Sequence, residues 1–537
     1  MCCEKDTLKY LLPPQCPSGV SEMQQSIITH GVKLVRNLDL KTASRSEAPA
    51  DRDRLGFALR GFGLLPAILL SLAAAGLAQA QTAGIGSSGA PAATDDSLTW
   101  HGITLYGIVD VGLQYNSHMA PINDYYPAGS GDVVQKNSNG SVTGITPNNL
   151  SQSRVGLQGK TPLPFMDWSG VFKLETFFNP QSGNISDGLK SLVQNNNKPL
   201  ASQSTNIDSS VAGQAFQQSF AGLSSPTFGA FTFGRQNTLY ADGVSKYDPM
   251  SASQAFSVIG LSGTPAGGGA TQDRRLDDSL KYNVNYKGAH LGLMYKFSNA
   301  NAEAFRNGGG SGEAYTAFQA QLGFNYAGAS VDGYYLKTKN AVSASAISTK
   351  QCGNVAGVCS TLPAGLSLDN SVSGTIADTA TWAILGSYDF GGPKAYVGYE
   401  HITYSNPSIP LPVGYNAIGG YVLAFVNNTA YTAADKVLQV YWAGVKYPVI
   451  QNLDLMAAFY GYKQDSYATG KYAGCSNNVN SACSGNLWAY SIAAVYRLTK
   501  HFDGYGGAMY SGVKNGLANG YLNTSNINPT IGVRYSF

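Results

Sequence analysis

Thr530-Ile531-Gly532-Val533-Arg534-Tyr535-Ser536-Phe537 closes the chain and decides the reading of its fold. In an extended strand successive side chains point to opposite faces, so Ile531, Val533, Tyr535 and Phe537 share one face. Thr530, Gly532, Arg534 and Ser536 share the other. A strand that is apolar on one side and carries an arginine on the other suits a wall with lipid outside and water inside.

The same alternation recurs upstream. Period-2 patterning predicts sixteen strands, near 102–116, 152–160, 168–179, 214–224, 228–237, 274–286, 289–298, 314–327, 329–339, 379–390, 393–404, 435–447, 453–465, 486–498, 501–513 and 530–537. Connections alternate in length. Ser224-Ser225-Pro226-Thr227, Tyr286-Lys287-Gly288, Ala327-Gly328, Gly391-Gly392-Pro393 and Leu498-Thr499-Lys500 are tight. Long connections run near 117–151, 180–213, 238–273, 299–313, 340–378, 405–434, 466–485 and 514–529. Tight turns at one rim and long loops at the other describe an all-β, 16-stranded antiparallel transmembrane β-barrel. Closure removes the unpaired edge that hydrocarbon would not tolerate.

Composition agrees. Charged residues make up 12% of the chain, against ~25% in ordinary globular domains, and there are 63 Gly and 33 Tyr. No apolar run after residue 80 reaches the ~18 residues of a membrane helix. Residues 1–80 hold 9 of 35 Lys+Arg and 7 of 32 Asp+Glu, which leaves 26 against 25. That balance gives no footprint for nucleic acid.

Leu64 to Leu77 is an apolar run of secretory length, preceded by Arg54 and Arg60 and followed by the small-x-small site Ala78-Gln79-Ala80. Residues 1–80 therefore read as a cleaved presequence, with 1–54 an over-called start and translation beginning near Leu55. Residues 81–101 form a short N-terminal segment, and 102–537 form the barrel domain. Cys352, Cys359, Cys475 and Cys483 lie in two close pairs, each inside one polar loop. Four cysteines allow three connectivities; Cys352–Cys359 and Cys475–Cys483 are the economical ones in an oxidising compartment. No His near either pair favours zinc.

Several stretches carry a family resemblance. Thr104-Leu105-Tyr106-Gly107-Ile108-Val109-Asp110 resembles the first strand of trimeric Gram-negative general porins of the β-proteobacterial, neisserial-like type. Ser153-Arg154-Val155-Gly156-Leu157-Gln158-Gly159 is similar to their second strand. Phe233-Gly234-Arg235-Gln236 and Arg275-Leu276-Asp277-Asp278-Ser279-Leu280-Lys281-Tyr282 resemble the strands that enter and leave their constriction loop. The resemblance implies a homotrimer and a third loop, about 238–273, folded into the lumen. It also implies a second long loop, about 180–213, reaching over a neighbour, and Tyr535 and Phe537 read as a sorting signal by the barrel-assembly machinery. It sets loop carboxylates, here Asp242 and Asp248, across from wall arginines.

Parity sorts the charges. Arg154, Lys173, Arg275, Lys281, Lys296, Arg497 and Arg534 fall opposite the apolar positions and face water, as do Asp110, Glu175 and Asp277. Strict alternation sends Arg235 towards lipid, unless a bulge at Gly234 turns it inward. The candidate channel-lining set is Arg154, Arg235, Arg275, Lys281, Asp110, Lys173, Glu175, Asp242 and Asp248. Its basic surplus predicts a weak preference for anions. Tyr334, Tyr335, Tyr441, Tyr447, Tyr460 and Tyr462 read as interface girdle and lumen lining. Gly84-Ile85-Gly86-Ser87-Ser88-Gly89 has the letters of a dinucleotide fingerprint without the preceding strand or following helix, and no nucleophile elbow, HExxH or Walker loop is present.

These readings converge on a water-filled channel in outer-membrane lipid. It would pass small hydrophilic solutes and inorganic ions passively, with no cofactor, metal or catalysis. The alternatives are a substrate-selective channel and, from a different class, a plugged-barrel adhesin or barrel enzyme. N-terminal sequencing of the mature protein is expected to begin at Gln81; a chain retaining earlier residues would overturn the presequence reading.

Overall fold

The computed structural model describes residues 98–120, 132–181, 183, 185, 193, 195–203, 215–259, 272–297, 316–353, 359–369, 371–414, 416–418, 421–470 and 480–537. The expected presequence and the Gly84–Gly89 motif lie outside them.

Sixteen wall strands follow one another in chain order. They are β1 (Ile103–Met119), β2 (Arg154–Pro162), β3 (Ser169–Phe177), β4 (Gln218–Ser225), β5 (Gly229–Asn237), β6 (Arg275–Tyr286), β7 (Ala289–Lys296) and β8 (Thr316–Tyr326). The wall continues with β9 (Ala329–Ser345), β10 (Ser371–Asp389), β11 (Lys394–Ser405), β12 (Lys436–Ile450), β13 (Leu453–Gln464), β14 (Gly485–Arg497), β15 (Phe502–Asn515) and β16 (Thr530–Ser536). Each pairs antiparallel with the next, and β16 pairs back onto β1 from Ile108↔Ser536 to Gln114↔Thr530. The sheet is a closed sixteen-stranded barrel, and every predicted strand coincides with a wall strand.

The terminal stretch seals it. Phe537 exchanges backbone hydrogen bonds with Gly107 at 3.0 Å in both directions, beyond the last strand pair. The tight turns follow hairpin chemistry. At Lys287-Gly288 both residues have positive φ, 47° and 89°, which matches the right-handed twist of the flanking strands.

Burial is inverted relative to a soluble domain. Leu322, Ile492 and Ile531 are 67%, 66% and 61% exposed on the outer face. Asp110, Glu175, Asp332 and Glu400 are fully buried on the inner face. Exposed Tyr286, Tyr326, Tyr388, Phe390, Tyr447, Tyr496 and Tyr535 ring the short-turn rim, as an interface girdle requires. The tyrosines singled out from the sequence divide by parity. Tyr335, Tyr441 and Tyr447 are exposed outside, while Tyr334, Tyr460 and Tyr462 are buried inside.

Several features differ from the sequence reading, among them short strands Tyr421–Asn427 and Ser525–Ile527 inside predicted connections. Strands β9 and β10 continue well beyond the residues predicted for them. Their Ser/Ala/Thr-rich tips pair with each other from Ala341↔Ala377 to Ser345↔Ser373, past a bulge in which Asn340 takes φ 56°. Small polar residues there read as loop because alternation needs apolar partners that a hairpin standing clear of lipid does not use. An extra strand, Gly140–Pro147, pairs with the upper half of β1 inside the first long connection.

The third long connection opens with helix α1 (Leu239–Tyr247). Thr238 caps it, its Oγ1 accepting from Ala241 N at 3.1 Å, and Asp242 and Lys246 stand at the ends that suit the helix dipole. The segment after α1 lies against inward side chains of the wall. Trp442 Nε1 donates to Tyr247 O at 3.0 Å, and Tyr460 Oη donates to Asp248 Oδ1 at 2.6 Å. Ser491 Oγ donates to Phe256 O at 2.7 Å, and Asn528 Nδ2 donates to Ala255 O at 2.8 Å. Leu239, Tyr240, Val244, Tyr247, Phe256 and Ile259 merge with Tyr334, Leu336, Trp442, Tyr460 and Tyr505 into one apolar cluster on the inner face. Residues 260–271, including the whole glycine-rich stretch 263–269, lie outside the described residues.

The described part of the second long connection is held by its own chain. Ile347 N donates to Asn196 Oδ1 at 2.9 Å, and Asn196 Nδ2 donates to Leu368 O at 2.9 Å. Cys352 and Cys359 are joined, inside a small loop core with Ile347, Leu362 and Ala424. Cys483 is also disulfide-bonded, and Cys475 lies outside the described residues.

The anchoring of α1 generates a test. Replacing Tyr460 by Phe removes one hydrogen bond of about 1 kcal/mol. Amide exchange at Met250 and Ala252, whose N–H groups share Asp248 with that phenol, is expected to rise about fivefold while exchange in the wall is unchanged.

Candidate functional site

Strands β2, β3 and β6 place a basic cluster on the inner wall beside α1. Register puts Glu175 opposite Gly156 and Lys173 opposite Gln158, so Arg154, Lys173 and Glu175 share the inner face. Glu175 lies 3.8 Å from Arg154 Nε and 3.6 Å from Lys173 Nζ. It also accepts from Tyr106 Oη and Gln218 Nε2, each at 2.9 Å. The Arg275 guanidinium stacks 4.5 Å over the Phe177 ring. Lys281 Nζ reaches Asp242 Oδ2 at 2.5 Å and Asn237 O at 3.0 Å, tying the first turn of α1 to the wall. Lys173 also feels the charges of Asp242 and Arg275. Six of the nine sequence candidates therefore meet in one region: Arg154, Lys173, Glu175, Asp242, Arg275 and Lys281.

The other three do not join it. Asp110 accepts from Ser151 N at 2.7 Å, Leu150 N at 3.0 Å and Tyr505 Oη at 2.5 Å. It ties β1 to the end of the first long connection and, across β16, to Tyr505 on β15. Asp248 is not the second negative pole of a transverse field. It turns back into its own loop, accepting from Ala252 N at 2.7 Å, Met250 N at 3.1 Å and Tyr460 Oη. Burial raises its pKa above the usual carboxylate range, against the pull of those hydrogen bonds. Arg235 is ion-paired with Asp277. The β5–β6 register shifts opposite Arg235, where β6 carries the extra residue: Asp277 and Asp278 face one residue of β5, Asp278 at φ 48° and Gly234 at φ 127°.

A second cluster escaped the sequence reading. Asp332, fully buried on β9, is hydrogen-bonded to the His290 ring and lies 3.6 Å from Lys246 Nζ on α1. Gln321 Nε2 and Tyr334 Oη donate to it at 3.0 and 3.1 Å. Parity held the signal, since Val331 and Tyr335 face out and Asp332 must face in. With Asp242, Lys287 and Asn325, these groups line a cavity of about 540 Å³ between α1 and the short-turn rim. Burial draws the Lys246 ammonium below its ordinary pKa, and Asp332 offsets part of that. Among the described residues no three His, Cys, Asp or Glu side chains gather as metal ligands.

A closed antiparallel cylinder, apolar outside and charged within, with part of a loop packed on its inner face, defines a transmembrane β-barrel. The family model described as Gram-negative porin matches residues 67–516, and the chain belongs to that family. Its place is the outer membrane. An outer membrane porin protein of Bordetella pertussis is 28% identical over 198 residues, which are 36% of this chain and 43% of that protein. The chain thus matches less than half the length of that relative. Among solved structures, OmpT of Vibrio cholerae is similar at 12% identity and a TM-score of 0.46, covering 81% of this chain and 97% of that one. The outer membrane channel DcaP of Acinetobacter baumannii is similar at 15% identity and a TM-score of 0.42, with coverage of 81% and 97%.

Glu175 neutralises part of a buried cationic group, so Glu175→Gln leaves Arg154 and Lys173 without that counter-charge. Such a loss costs about 3 kcal/mol. The variant is expected to unfold at lower denaturant concentration, and an unchanged midpoint would show that lumen water already screens the pair.

Proposed function

We propose that this chain forms a passive channel for small hydrophilic solutes and inorganic ions, with a weak preference for anions. One observation carries the reading: Arg154, Lys173, Arg275 and Lys281 converge on the inner wall of the barrel, with Glu175 and Asp242 as the acids paired with them among the described residues. A surplus of basic side chains along a water-filled path lowers the barrier to anions relative to cations. The segment 238–259, packed on the inner face, narrows the path on one side and sets the size limit. The working unit is a homotrimer, delivered through a cleaved presequence and inserted by the barrel-assembly machinery, which reads Tyr535 and Phe537.

Planar-bilayer recording tests this reading. Purified protein is expected to give large conductance steps grouped in threes, and a potassium chloride gradient a reversal potential of the sign set by chloride. Replacing Arg154, Lys173 and Arg275 together by Gln is expected to move that potential towards potassium. A wild-type preference for potassium would reject the anion reading.

A further inference from the structure

Tyr404 on β11 and Lys436 on β12 face each other on the inner wall at the long-loop rim, where register pairs them directly. The Lys436 ammonium sits 4.9 Å from the Tyr404 ring centroid. Two more rings extend the row. Tyr431 lies 6.2 Å from Tyr404 at 37°, and Tyr467 lies 5.7 Å from Tyr431 at 56°. All three rings are only partly buried.

Their frame is rigid. Tyr431 N donates to Asn406 Oδ1 at 2.8 Å, and Asn406 Nδ2 is itself fixed on Thr432 Oγ1 at 2.8 Å. Tyr467 N donates to Ala482 O at 2.9 Å, beside disulfide-bonded Cys483. Among the described residues, the three phenol hydroxyls and the Lys436 ammonium take part in no hydrogen bond or salt bridge, and none of them is a sealed, unsatisfied polar atom. Lys136, from the first long connection, acts on Lys436 as a like charge. The acids nearby are otherwise placed. Asp465 is held by Lys463 at 3.4 Å and Gln439 at 3.1 Å, Glu400 lies deeper on β11, and Asp435 precedes Lys436 on the exposed side.

An ammonium with no carboxylate hydrogen-bonded to it among the described residues, beside a row of ring faces with open hydroxyls, makes a recognition surface. We infer that it binds an aromatic carboxylate at the long-loop mouth, the ring against the face of Tyr431 and the carboxylate on the Lys436 ammonium. This rests on the channel reading only for its purpose, to gather such solutes before passage. Stacking of this kind contributes up to about tenfold per ring, weak enough for release into the lumen.

Saturation-transfer NMR on the full chain in detergent tests binding without reference to conductance. Benzoate is expected to bind about tenfold more tightly than acetate or benzyl alcohol. Lys436→Gln and Tyr431→Ser are each expected to weaken it about tenfold, whereas Tyr431→Phe and Lys436→Arg retain it. Equal binding of benzoate and acetate, or an unaffected Lys436→Gln that still folds, would overturn the site. Conductance without benzoate binding would sink this inference alone, and benzoate binding without conductance would sink the channel reading alone.

Discussion

Hydrocarbon offers no hydrogen-bond partner, so every backbone group at membrane depth must find one within the protein. The pairing of β16 with β1 meets that demand at the last open edge. The remaining architecture depends on it. Once the sheet is closed, alternation along each strand assigns every side chain to lipid or lumen, and no residue can change sides without a bulge. The bulge opposite Arg235 shows how such an exception is made: Asp277 and Asp278 of β6 oppose one residue of β5, and Asp278 takes φ 48°.

The lumen is electrostatically lopsided. On the β2–β6 side the charged groups are buried against one another and against the first turn of α1. On the β8–β15 side the loop segment and the wall bury Phe256, Trp442, Tyr460 and Tyr505 together. Charges caught on that second side, Asp248 and Asp332 among them, accept hydrogen bonds from phenols and amides and hold the loop in place. The first group ties the wall to the first turn of α1, the second holds the rest of the loop, and a count of acidic and basic residues would not separate them.

Much of this is legible in the residues alone, because period-2 alternation is a local property. Ile531, Val533 and Tyr535 announce their face without knowledge of any neighbour. Parity likewise places Arg154, Lys173, Glu175 and Lys281 indoors. Long-range consequences are less visible. Asp248 looks like a loop carboxylate free to face the lumen, and only its contact with Tyr460, more than two hundred positions away, shows otherwise. Helix α1 is short and sits in a stretch dominated by turn-forming residues. The strand at Gly140–Pro147 has too few apolar residues to announce itself, because it pairs above the lipid-facing part of β1.

The inward loop is held largely through its own main chain. Trp442, Ser491 and Asn528 reach out from the barrel and from the β15–β16 connection to the carbonyls of Tyr247, Phe256 and Ala255. Any residue that keeps the backbone path offers that carbonyl equally well. The loop's location is thus specified by its surroundings, while the identity of many side chains upon it is left open. Such a division lets permeation properties be retuned by substitutions on the loop without dislodging the scaffold that presents it.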